Sequence, residues 1–188
     1  MTQLSINTRE GLPTEMQTLL RDYPRDSWPG HPDFAASIQN WMGAHQMFRQ
    51  LAGIIREDTE LFVDNSLDRE AYVTRLGRFG NLLVRNLHGH HSWEDHSFFP
   101  ELSQADPRFD AGLDMLETDH QDLDTLLDGF TTHGNRAIQL HHLDPVQMHD
   151  SAHTVLELTG EIDRFLNRHL ADEEDLAVPI LLHYKLRG

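Results

Sequence analysis

The chain has 188 residues, of which 31 are acidic and 15 basic, giving a formal charge of −16. That length suits one compact domain with a sizeable core. The charge argues against a nucleic-acid partner or an anionic membrane surface, because each calls for a basic face.

No cysteine is present, which excludes disulfides, thiolate zinc sites, cysteine-ligated clusters and cysteine nucleophiles. Fourteen histidines direct attention to metal chemistry instead. No apolar run approaches the roughly 20 residues that span a bilayer. The opening MTQLSINTREGLP lacks the basic-then-apolar pattern of a secretory signal, so a cytoplasmic location is expected.

Residues 1–32 read as an N-terminal extension outside the core, with Trp28 a residue that can fold back onto the bundle. An amphipathic piece over 14–22 precedes YPRDSWPGHP, whose prolines and glycine break a helix, and no chemistry is expected of this segment. The first long helix is expected over about 33–59, with Asp33 as N-cap. Its stripe is Phe34, Ile38, Trp41, His45, Phe48, Ala52 and Ile55, in helical steps of three and four. After a turn at 62–66 the second helix carries Tyr72, Leu76, Phe79, Leu83, Leu87, His90 and Glu94. QADPRFD is a loop, and the third helix presents Leu113, Leu116, His120, Leu123, Leu127 and Phe130, ending between 132 and 143. Pro145 suits the first turn of a fourth helix with Val155, Leu158, Ile162, Phe165, His169, Glu173 and Leu176. No stretch alternates like a strand. The expected fold is all-α, an up-and-down antiparallel four-helix bundle over 33–188.

Polar residues recur where core residues belong. His90 with Glu94 and His169 with Glu173 are i,i+4 pairs, each with a proline ten residues after its histidine, at Pro100 and Pro179. Such pairs point the same way from a helix. A lone histidine on an apolar face is more often a hydrogen-bonded core residue, and a lone pair of this kind a solvated contact. Two matching pairs, with His45 and His120 at the centre of two further stripes, are a stronger pattern. Unpartnered buried polar groups cost about 1–3 kcal/mol each, a burden that a metal removes. His45, His90, Glu94, His120, His169 and Glu173 are therefore the candidate ligands. Four imidazoles and two carboxylates suit two ions about 3.5–4 Å apart, bridged by the glutamates, with open positions for water, an oxo or hydroxo group, or a small gas.

The register carries its own expectations. The stripe through Leu83 and Leu87 puts His90 inside and turns His91 about 100° away. His91, Asp95 and His96 are thus expected to be solvated or to support a ligand. On this register His91→Ala leaves metal content intact, while His90→Ala or His169→Ala lowers it. Asp172 and Glu174 compete with Glu173. Asp124, four after His120, is an outer ligand or a support. His149 and His153 read as an exposed face, His141 and His142 as loop, and Trp41 and Trp93 as packing.

HHSWEDHSFFPEL and HLADEEDLAVPIL resemble the H-x-x-x-E…P motifs of hemerythrin-like (HHE cation-binding) domains, over about residues 33–184. The resemblance implies a four-helix bundle holding a non-haem centre of two iron ions on the six residues named above. It also departs from the oxygen carriers of that family, which pair the third-helix histidine with another histidine where this chain has Asp124. Their last carboxylate falls at the position of Glu174, whereas Glu173 matches the bacterial HHE spacing. Two readings follow. One is a di-iron module that binds or senses oxygen, nitric oxide or iron. The other is a redox enzyme that reduces peroxide or nitric oxide, or acts in iron–sulfur-cluster repair. With no flavin or nicotinamide motif and no unambiguous general acid, the first is favoured.

Overall fold

The computed structural model describes residues 4–187. It contains six α-helices: α1 (Thr18–Asp22), α2 (Ala36–Val63), α3 (Arg69–Trp93), α4 (Phe99–Ala105), α5 (Asp110–Leu140) and α6 (Pro145–Tyr184). Short 3-10 turns occupy Thr14–Met16, Arg25–Gly30 and Pro107–Phe109, and a π-helical turn over Glu94–Phe98 joins α3 to α4. No strand occurs among the described residues, and no helix among them is long and apolar enough to cross a membrane.

The helices follow their stripes. Along α2 a buried stripe runs Ile38, Trp41, His45, Phe48, Ala52, Ile55, Thr59 and Phe62 in steps of three and four, with Leu51 and Asp58 buried beside it. The helix starts at Ala36, past the expected cap Asp33, because Ala35 supplies the first helical acceptor, to Ile38 and Gln39. It stops at a residue able to turn left-handed: Asn65 has φ 58°. There Ser66 N–H donates to Leu61 O at 2.7 Å and Asn65 N–H to Phe62 O at 3.0 Å, the paired bonds of a Schellman ending. Asp68 then caps α3, accepting from Glu70 and Ala71 N–H. Asp144 caps α6 likewise, accepting from Val146 and Gln147 N–H.

Two compact units share these helices along the chain. The first comprises residues 1–46, 91–121 and 165–188, and the second residues 47–90 and 122–164. Buried side chains of the second include Phe48, Ile55, Leu83, Leu127 and Val155, with Phe62 stacked on Tyr72 at 4.3 Å. The first has a large apolar cluster in which Leu12, Met16, Leu19 and Trp28 join Phe98, Leu102, Leu116 and the run Leu176–Leu182. The N-terminal segment is therefore core, contrary to the expectation for 1–32. Its reason lies in α6, where Leu176, Ala177, Val178, Ile180, Leu181 and Leu182 are buried on every side. A helix apolar all round needs cover on its outer face too.

Candidate metal centre

The first unit gathers a cluster of histidines and carboxylates from four segments. α2 supplies His45, the end of α3 and the π-turn supply His91, Glu94 and Asp95, α5 supplies Asp119 and His120, and α6 supplies His169, Asp172, Glu173 and Glu174. Apart from Asp95, every one of these is buried. The π-turn is local chemistry: Pro100 has no N–H to offer residue 96, and Phe99 N–H reaches back five residues to Glu94 O.

Three imidazoles share one plan. His45 Nδ1 bonds Glu174 Oε1 at 3.0 Å, His120 Nδ1 bonds Asp95 Oδ1 at 2.7 Å, and His169 Nδ1 bonds Asp119 Oδ2 at 3.2 Å. A carboxylate on Nδ1 fixes the proton there and leaves the Nε2 lone pair facing the interior. The Nε2 atoms converge on two glutamates. Glu94 faces His45 with Oε1 at 4.0 Å and His120 with Oε2 at 3.8 Å. Glu173 Oε2 lies 3.4 Å from His45 Nε2 and 3.8 Å from His169 Nε2. Donors on one ion at about 2.1 Å stand roughly 3.0–3.4 Å apart at angles of 90–109°, so these slightly wider gaps leave room for ions. Trp41 steadies Glu94, donating Nε1–H to Oε1 at 2.7 Å.

His91 is a correction. It is 3 % exposed, its ring lies 3.9 Å from that of His120 and nearly parallel to it, and the donor atoms of His91, His120 and His169 lie within 4.8 Å of one another. The buried stripe of α3 runs Tyr72, Leu76, Gly80, Leu83, Leu87 and then His91, a step of four where three was expected. His90 is half-buried, ends the second unit one peptide bond earlier, and packs edge-on to Phe48 at 5.1 Å. Both readings of the step land on histidine, and a core stripe is wide enough for both.

The electrostatics suit cations. Burial lowers the His169 pKa to about 4, with Asp119 opposing and His120 adding to the shift, so its lone pair is available at neutral pH. Burial and the neighbouring Glu94 push Glu173 well above the ordinary carboxylate value. His120 Nε2, His169 Nε2 and both oxygens of Glu173 are buried without a hydrogen-bond partner among the described residues. Each is a strong acceptor aimed at the same interior, and a bound cation satisfies all of them at once. The donor set, imidazole and carboxylate without sulfur, fits iron, manganese or zinc.

The family model of the Hemerythrin HHE cation binding domain matches residues 36–181. The chain belongs to this hemerythrin HHE family. No curated protein and no solved structure matches the chain. As a hemerythrin HHE domain the chain is a cation-binding protein, and its His and Glu groups are placed to hold one.

Other residues settle differently from their sequence reading. Asp124 pairs with exposed His88 at 3.1 Å, and the partner of His120 is Asp95. Glu174 turns to His45 Nδ1 and Arg25, leaving Glu173 to face the Nε2 atoms. His149 is tied to Val63 O at 3.0 Å. Sequence reasoning allowed Asp95 a supporting role but missed Asp119 and Glu174 as carboxylates on Nδ1, and the two arginines behind them. Arg9 donates to Asp172 at 2.6 Å and to Asp119 at 2.5 Å, fully buried. Arg25 donates to Glu174 at 2.8 Å and Asp175 at 2.5 Å. No periodicity marks either arginine, since their partners are more than a hundred residues away along the chain.

Proposed function

We propose that this hemerythrin HHE chain is a non-haem di-iron protein, an up-and-down four-helix bundle over 33–188 onto which residues 4–32 fold, that binds or senses oxygen, nitric oxide or iron. The observation that carries the reading is the common plan of His45, His120 and His169: Nδ1 held by a carboxylate, Nε2 turned toward Glu94 and Glu173. In the proposed set His45 and His90 would hold one ion and His91, His120 and His169 the other, with Glu94 and Glu173 supplying carboxylate oxygens to the pair. His90 is included because it stands one helical turn before Glu94 along the chain. Iron held by these residues would supply ferrous–ferric chemistry and affinity for a small diatomic ligand.

The residues themselves do three things. The Nδ1 carboxylates orient the rings, Trp41 holds one oxygen of Glu94, and Leu116, Phe98 and Leu176 wall the unit against water. No buried acid with a proton path to solvent is needed for binding alone, which favours binding over turnover.

The test is metal content with the visible spectrum, on protein purified without oxygen and then exposed to it. The expected result is about two irons per chain, with a charge-transfer band that appears on exposure. His91→Ala and His169→Ala should each lower the metal content. Folded wild-type protein that takes up no metal overturns the reading. Sustained consumption of peroxide or nitric oxide with a supplied reductant transfers the protein to the redox enzymes.

A further inference from the structure

Arg9 lies on a segment outside the 36–181 that carry the family resemblance. Its guanidinium is 1 % exposed and spans two carboxylates, Nε to Asp172 Oδ2 and Nη2 to Asp119 Oδ2, while Nη1 is anchored on Leu4 O at 2.6 Å. Asp119 Oδ2 is the same oxygen that receives His169 Nδ1. Asp172 precedes Glu173 and is held from its other side by Arg168. Arg25 repeats the arrangement at one remove: Glu174 Oε2 takes its Nη1, and Glu174 Oε1 takes His45 Nδ1. The third supporting carboxylate, Asp95, is about a third exposed and has solvent for its charge.

The two buried pairs need a counter-charge that the third does not. Asp119 Oδ2 meets His169 Nδ1 and Arg9 Nη2 together, so the guanidinium fixes the carboxylate where it supports the tautomer that exposes Nε2. Arg9 is bonded in the geometry only guanidinium provides, a rigid fork reaching two acids at once.

We propose that Arg9, acting through Asp119, and Arg25, acting through Glu174, are positioning residues that hold His169 and His45 in the metal-binding tautomer, so that the N-terminal segment is part of the metal centre. The proposal rests on the metal reading above.

The test uses the full chain and Co(II), whose visible bands report its ligands. Affinity is measured by competition with a chelator for wild type, Arg9→Gln, Arg9→Lys, Asp119→Asn, the double variant and Arg108→Gln. Arg9→Gln is expected to weaken cobalt binding about 10–100-fold and to shift the bands. Arg9→Lys should recover part of the loss, keeping the charge without the fork. Asp119→Asn should weaken binding similarly, and the double variant should be little worse than either, because both remove one linkage. Arg108, an exposed partner of Asp106, is the control and should leave affinity unchanged. Folded Arg9→Gln with wild-type affinity and bands overturns the proposal, as does full additivity with Asp119→Asn. Should Arg9→Gln not fold, Arg25→Gln decides: weaker binding and shifted bands support the proposal, and wild-type values overturn it. Wild-type protein that binds no cobalt overturns the metal reading itself, and this inference with it.

Discussion

At the scale of single residues, Glu173 carries the clearest conflict between stability and function. Its folded-state pKa is raised above the ordinary 4.5 by burial and by Glu94. A raised pKa contributes stability below the unfolded value, and that contribution is lost as pH rises through the folded one. In the metal-free protein at neutral pH, Glu173 is therefore a cost. Glu173→Gln should stabilise metal-free protein at pH 7 by about 1–3 kcal/mol, give little gain at pH 4, and weaken metal binding. Denaturant unfolding at the two pH values checks the sign. His169 runs the other way: with its pKa lowered to about 4, the stability it contributes is present above 6.5 and lost as pH falls toward 4. The sequence pattern reached both residues because each interrupts an apolar stripe on α6 with a buried polar group. It turned His91 outward because a step of three and a step of four after Leu87 both fall on histidine, and periodicity does not choose between neighbours. The Nδ1 carboxylates were hidden for a different reason. Asp119 and Glu174 each sit beside another buried polar residue, where a chain this acidic offers many equivalent candidates.

At the scale of elements, the long helices were legible from their stripes, and their ends from side chains that cap. Asp144 accepts two backbone N–H groups at the start of α6. Asp144→Ala should cost about 1 kcal/mol, within a range of 0.5–2, read as a lower thermal midpoint with unchanged metal content. Within α2, Gly43 is exposed and nothing lies within 4 Å of the position a Cβ would take. Gly43→Ala should therefore stabilise by about 0.5–1 kcal/mol, the helix-propensity difference. Gly112 in α5 is the contrast, since a Cβ there would meet Leu176 Cδ2 at 2.8 Å and Met16 at 3.4 Å. The same substitution there should bring no gain, because it overpacks a core. The π-turn had a visible cause in Pro100, yet its consequence was not readable: an added residue per turn changes which side chains face inward, and only the three-dimensional path shows where.

At the scale of the whole molecule, the chain divides into two units, and the buried imidazoles of His45, His91, His120 and His169 all fall in the first. A ligand stabilises what it binds by mass action, about 2.7 kcal/mol at a hundredfold excess over Kd. Metal uptake should therefore slow amide exchange at 36–46, 110–121 and 165–184 more than at 48–63 and 122–164. Uniform protection would show that the units open together. The core role of residues 4–32 was the least legible feature, because apart from Trp28 little local to them announces it. The signal lay at the far end of the chain, in an α6 segment too apolar on all sides to face solvent. Its consequence reaches anyone who trims this protein to a minimal piece. A fragment cut to residues 36–181 would keep every imidazole and glutamate named in the centre. It would also strand Asp119 and Glu174 without their counter-ions and open a greasy flank on the last helix. Such a fragment should be expected to clump and to hold its cargo poorly, and its failure would be mistaken for a fault in the ligands.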